Sequence, residues 1–412
     1  MKAHLSTRLA LVGTLALFNH TARAQSWQTV DDYQVVSNHV SQPTAITVDA
    51  QGTIYVAGYY SSDLVGGYQN ALVRRSSDQG ATWATIEDYI YPNPANHNVV
   101  FNSIGLDSHQ NLYAVGLTGQ GISDSTDRLI VRKSADGGAT WATALDVTIP
   151  YAYTYNGLVT IGNPGVVADA AGAIYVSVQS RSGALILKSA DAGATWVSGN
   201  PGTWVRGMAV TSDGLFAAEA QGGSPWGLVK KTINGGATWT TVDSYTPPGF
   251  NGTGNSSALC ADWFGNLYAG GFAGITVTTG TGKNAISTTT YNWVIRKGTN
   301  GGATWSTSVI IPAPSTQSSC LLNGLDADPA GNVYAVGRMF DTLGHQRWIV
   351  AKGVNQGASW TLVDDYGPYA PLFAGRATAV TCDAAGGVYV CGLALLPGGT
   401  QGHWVVRKQV WP

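Results

Sequence analysis

Side chains able to do acid–base chemistry or bind anions are scarce in this chain of 412 residues. Only 11% of its residues are charged, and its glutamates are Glu87 and Glu219 alone. The candidates stand where an otherwise repetitive pattern breaks. One group holds Asn102, Asn163, Arg206, Asn255, Asn323 and Arg376; a second holds Tyr59, Tyr60, Asp63, Asp124, Asp127, Arg181, Glu219, Trp226, Arg338, Asp341 and His345. Three chemistries are open to them. Two carboxylates about 5–10 Å apart across a pocket would hydrolyse a glycosidic bond, with Asp63, Asp124, Asp127 or Asp341 as acid and Glu219 in the second role. A base such as Tyr59 or His345 beside Arg338, which would neutralise a uronate, would make a polysaccharide lyase. Without either pairing, Tyr59, Tyr60 and Trp226 can stack on pyranose faces while Asn102, Arg206, Arg338 and Arg376 read hydroxyls. A lone loop glutamate more often faces water than substrate.

The elements that must position these groups repeat along the chain. The octapeptide Ser-x-Asp-x-Gly-Ala-Thr-Trp ends at Trp83, Trp141 and Trp196, and looser copies end at Trp239, Trp305 and Trp360. Asp78, Asp136 and Asp191 become Asn234, Asn300 and Asn355 in the looser copies. A second motif, Asp-x-x-Gly-x-Ile/Leu/Val-Tyr, runs from Asp49, Asp107 (with Gln110 in the Gly place), Asp169, Asp262, Asp328 and Asp383, with a degenerate copy at Asp213. That makes seven hairpins against six octapeptides. The ends of the chain supply the missing seventh: Trp27–Tyr33 matches the segment after the last octapeptide, and Trp404–Lys408 matches the strand that precedes each one.

A unit of about 55 residues with four short strands is the sequence form of a propeller blade. The expected fold is therefore all-β, a seven-bladed β-propeller over residues 25–412, closed by pairing the first strand with the last. Strands A and B flank the Asp-x-x-Gly turn, strand C ends in two basic residues, and strand D follows the octapeptide Trp. Closure hides two edges that would otherwise invite aggregation. In the octapeptide, Asp or Asn accepts backbone N–H bonds, Gly takes positive φ, Thr bonds locally, and Trp packs between blades. Because Asn replaces Asp three times, these side chains read as structural. The basic pairs Arg74-Arg75, Arg132-Lys133, Lys230-Lys231, Arg296-Lys297 and Arg407-Lys408 read as solvated, or as partners for Asp31, Glu87, Asp88, Asp243 and Asp364 worth about 0–1 kcal/mol each.

Composition bounds the setting. Lys2 and Arg8 precede an apolar run, Leu9–Phe18, and Ala22-Arg23-Ala24 offers a cleavage site, the pattern of an export signal over residues 1–24. Without its three basic residues, 19 Lys and Arg face 24 Asp and Glu, a net charge of −5, which argues against a nucleic-acid partner. No apolar run is long enough to span a bilayer. Cys260, Cys320, Cys382 and Cys391 match no zinc spacing and read either as buried free thiols or as holding one bridge; no metal or cofactor is expected.

The octapeptides resemble the Asp-box (BNR) repeat of sialidase-like β-propellers, over nearly all of residues 25–412. The resemblance implies the propeller fold. In sialidases it would also imply an arginine triad whose first member lies in Arg-Ile-Pro, an Asp acid, and a Tyr–Glu nucleophile pair. The corresponding stretch here, Val40–Ile46, contains no arginine; Arg206, Arg338 and Arg376 are what could form a substitute cluster. Asp-box propellers also serve as non-catalytic scaffolds, including photosystem assembly factors and sorting-receptor ectodomains. The favoured reading is a secreted, periplasmic or cell-surface monomer that binds a glycan or protein through its B–C and D–A loops, with a sialidase-like glycoside hydrolase and then a lyase as the alternatives.

Overall fold

A computed structural model describes residues 26–410 except 38, 63–67, 93–97, 120–126, 150–164, 181–182, 203, 221–223, 282–284, 315–319, 368–374 and 396–400. Among the described residues there are strands and turns and no helix. Twenty-eight strands form seven antiparallel sheets of four, arranged as a propeller. Six blades are continuous: residues 41–89, 99–148, 166–202, 204–245, 250–312 and 321–366. The seventh joins residues 375–410 to Ser26–Tyr33, which pairs with Gly402–Val410 from Ser26 opposite Val410 to Tyr33 opposite Trp404. The expected closure is present.

The Asp-x-x-Gly turns join A to B. Asp49 takes the N–H groups of Gln51 and Thr53 at 2.9 and 2.8 Å on one oxygen and the Tyr55 hydroxyl at 3.1 Å on the other. That geometry explains why Asp and Tyr are spaced six apart. In the octapeptides, Asp78 Oδ1 accepts from the Thr82 N–H at 2.8 Å and its Oδ2 from the Thr82 hydroxyl at 2.5 Å, while the Trp83 indole donates to Gly80 O. Asn234 keeps the same backbone bond, from Thr238 N at 3.0 Å. Neutral and charged side chains thus do one job, as expected of a turn.

Of the two readings left open for the basic pairs, partnership with the outer carboxylates is present for Asp31, Glu87, Asp243 and Asp364, and the solvated reading is corrected. The first member reaches back one blade and is buried: Arg74 grips both oxygens of Asp31 at 2.8 and 2.9 Å, with side-chain exposures of 6% and 7%. Its guanidinium lies 3.5 Å from the centre of the Tyr33 ring. Arg132 with Glu87 and Tyr89, Arg296 with Asp243 and Tyr245, and Arg407 with Asp364 and Tyr366 repeat the clamp. Asp88 instead accepts the Tyr60 hydroxyl. The second basic residue reaches forward to the next blade's octapeptide turn, as Lys133 does to Ala192 O at 2.9 Å and Lys297 to Gln356 O at 3.0 Å. Each pair therefore ties a blade to both neighbours.

At the channel, strand A carries a bulge in each blade except the third, whose strand A is described only from Val166. The bulged residues are Thr44, Asn102, Arg206, Ser257, Asn323 and Thr378. Four of them hydrogen-bond the next blade's strand A: Thr44 to Phe101 O, Ser257 to Leu322 O, Asn323 to Ala377 O and Thr378 to Pro43 O. All four cysteines are buried free thiols, which decides between the two readings left open for them.

Candidate functional site

At the loop end of the channel, blades 6, 7 and 1 bring together five side chains. Arg338, in strand B of blade 6 (Val333–Phe340), donates through Nη1 to Gln346 Oε1 at 3.0 Å. Gln346 in turn donates to Gly375 O at 3.1 Å, next to Arg376 in strand A of blade 7 (Gly375–Cys382). Arg376 Nη2 and the Tyr59 hydroxyl both donate to Gln42 Oε1, at 2.9 and 3.1 Å. Among the described residues, neither arginine has a carboxylate within ion-pair distance. Among the described residues, no acceptor meets the buried Arg338 Nε.

The electrostatics follow. Burial, and then the nearby Arg376 charge, hold the Arg338 guanidinium below its ordinary value. Burial pushes the Tyr59 hydroxyl up against a smaller downward pull from Arg376, so it remains a protonated donor and makes a poor base. Two partly buried cations beside neutral amides and a phenol, with no acid between them among the described residues, are an arrangement that can accept an anion.

The other candidates fall elsewhere. Glu219 is fully buried and ion-pairs with Lys230 at 3.1 Å; it is not a loop residue facing solvent. The reason lies in the neighbouring blade, whose strand D (Val197–Gly202) has neither the acid nor the Tyr of the usual clamp, so blade 4 supplies its own acid. Trp226 is 1% exposed and donates to Phe272 O at 2.7 Å. It packs with Tyr245, Phe250 and Ile275 beneath a long hairpin and presents no ring to a ligand. The expected loop from Phe272 to Tyr291 is mostly that hairpin, because alternating β-branched residues extend the strands Leu267–Thr279 and Ile286–Thr299 beyond the blade.

Asp341 caps its own turn, accepting from the N–H groups of Leu343 and His345, both at 2.9 Å. His345 Nδ1 lies 3.1 Å from Asp341 Oδ2, beside Arg347, which binds Asp365 on the outer strand. Arg338 sits on the opposite face of that hairpin, against Gln346, so the His345–Arg338 lyase pairing is absent. Tyr60 is held between Asp88 and Asn70. Asp127 is fully buried against Gly119. Asn102, Arg206 and Asn323 line the central channel, which encloses about 170 Å³. Arg206 lies two blades from Arg338 and three from Arg376, so no triad assembles. Asp63, Asp124, Asn163 and Arg181 lie outside the described residues.

Sequence reasoning placed Arg338, Arg376 and Tyr59 at this end but missed Gln42 and Gln346. Gln42 was visible as a polar residue in the stretch Val40–Ile46, where the resemblance calls for arginine. Among the described residues, no group of three or more His, Cys, Asp or Glu could hold a metal ion, and no helix is long and apolar enough to cross a membrane.

No protein-family model matches the chain, and no curated protein is similar to it in sequence. Solved structures do resemble it. A Hadza microbial sialidase matches with TM-score 0.50 and 14% identity, over 90% of this chain and 65% of that one. A GH93 α-L-arabinofuranosidase of Fusarium graminearum, in complex with arabinobiose, matches at 0.49 and 10%, over 93% and 97%. YCF48 from Cyanidioschyzon merolae matches at 0.49 and 12%, over 93% and 98%. At these identities the likeness is one of fold: the chain shares the propeller architecture of the sialidase.

Proposed function

We propose that this protein is an exported binding module that holds an acidic glycan at the loop end of its propeller without cleaving it. The observation that carries the reading is the Arg338–Arg376 pair, two partly buried cations whose lining is neutral among the described residues. Leaving charge partly desolvated and unpaired is costly, and a carboxylate or sulfate on a sugar would offset that cost by accepting from both guanidinium groups. Gln42, Gln346 and Tyr59 set the orientation of the pair. The candidate hydrolytic carboxylates among the described residues support binding over hydrolysis, since Glu219, Asp127 and Asp341 are buried or committed to turns and ion pairs. The glycosidases among the structural neighbours make a saccharide the natural ligand class to test first.

The experiment is a glycan array on the purified mature protein, run beside reducing-sugar and unsaturated-uronate assays. Signals confined to acidic glycans, with no product from any of them, are expected. New reducing ends would establish the hydrolase reading instead, and unsaturated product the lyase.

A further inference from the structure

The opposite end of the propeller, where the A–B turns lie, carries a feature that the loop-end site does not use. Six of these turns share one construction, with Asp at the first position and, at the fourth, a residue of positive φ that is Gly in five copies and Gln110 in blade 2. The two residues between them point outward. They are Ala50-Gln51, Ser108-His109, Ala170-Ala171, Pro329-Ala330 and Ala384-Ala385 in five copies, and Trp263-Phe264 in blade 5. Trp263 is 65% exposed and Phe264 59%. The turn itself does not require them: Asp262 accepts from Phe264 N and Asn266 N at 2.9 and 2.8 Å, as Asp49 does from Gln51 and Thr53.

The platform is held in place. The Phe264 ring lies against Gly331 of blade 6 so closely that a Cβ there would come within 2.9 Å. Beside it, the Asn266 amide bridges Asp262 and Gln356 at 2.7 and 3.2 Å. The charged groups next to the pair are committed: Asp262 is 6% exposed, and Lys297 Nζ donates to Gln356 O at 3.0 Å.

We infer that Trp263 and Phe264 form a second contact surface, which stacks a neutral polysaccharide chain. An exposed indole beside fixed amides suits the apolar C–H face and hydroxyls of an uncharged pyranose. The two side chains expose about 250 Å² of surface, taking about 150–250 Å² for each whole side chain, short of the ~500 Å² per partner that a ~1,000 Å² protein interface or dimer needs. Among the described residues, the neighbouring cation Lys297 is held by Gln356 O at 3.0 Å and is not free to favour an anionic bilayer. This surface is independent of the loop-end reading and stands or falls separately.

The test is native electrophoresis of the full mature protein through gels containing neutral arabinan, xylan or β-glucan, against an empty gel, for wild type and Trp263→Ala. At least one neutral polysaccharide should slow the wild type. Trp263→Ala should lose that retardation while keeping its melting temperature and its acidic-glycan signals on the array. The inference is overturned if no neutral polysaccharide slows the wild type, or if Trp263→Ala is slowed equally. It is also overturned if Trp263 proves necessary for pelleting with phosphatidylcholine vesicles or for concentration-dependent self-association.

Discussion

At the scale of single residues, two kinds of carboxylate pull stability in opposite directions with pH. Asp78, Asp136 and Asp191 are held down to about 2, first by the Thr hydroxyl and then by the Thr N–H four residues on. Their folded values lie below the ordinary 3.8, so their contribution is present above about pH 4 and is lost as pH falls from 4 to 2. Asp326 behaves the other way. It bridges blades 6 and 7, accepting from Cys382 N at 2.8 Å, and burial pushes it up to about 6. The folded state then keeps a proton that the unfolded chain releases, so stability declines as pH rises from 4 to 6. Urea midpoints measured from pH 2 to 7 should therefore peak near pH 4 for these groups. Asp326→Asn should flatten the slope between 4 and 6, whereas replacing Asp78, Asp136 and Asp191 by Asn should flatten the slope between 4 and 2.

At the scale of strands and junctions, the clamps show which exchanges the fold tolerates. Four junctions carry the buried Arg–acid–Tyr set. Between blades 2 and 3, its three positions hold Leu187, Leu145 and Val147, which pack in one apolar cluster. Between blades 5 and 6 they hold Ala351, Val309 and Ile311, again in one cluster. The junction of blades 3 and 4 is the hybrid, with Lys230 paired to Glu219 of its own blade. Removing one partner of a buried pair costs about 3–5 kcal/mol, whereas replacing both with apolar residues is often neutral or stabilising. Lys230→Leu alone should thus lose roughly 3 kcal/mol in equilibrium denaturation, and Lys230→Leu with Glu219→Leu should recover most of it. A double variant as unstable as the single one would contradict the junction account.

The limits of the sequence reading are clearest at these same junctions. The spacing of Asp49 to Tyr55, the octapeptides and the split repeat at Trp27 and Trp404 are local or periodic signals, and they made seven blades legible. Arg74 and Asp31 are 43 residues apart, and nothing within one repeat shows that such a pair is buried between two blades. Glu219 looked like a loop residue because the deficiency that it compensates belongs to the preceding blade. Trp226 looked like a sugar platform because the hairpin that covers it was read as a loop. At the loop end, Arg338 and Arg376 were visible as breaks in the pattern, but the amides that orient them were not, since Gln42 and Gln346 carry no periodic signal.

At the scale of the whole molecule, ring closure and function are separable. Ser26–Tyr33 supplies the outer strand of blade 7, including Asp31 for the Arg74 clamp and Asp32, 2.9 Å from His403. A protein that starts after residue 33 should expose the edge of Gly402–Val410 and aggregate, which light scattering would detect, although every loop-end side chain remains. The central claim concerns those side chains alone. Its most direct test is the glycan array repeated with Arg338→Gln/Arg376→Gln, a variant whose melting temperature is first shown to match the wild type. Loss of the acidic-glycan signals, with the fold intact, is the predicted result. An array pattern unchanged from the wild type would contradict it.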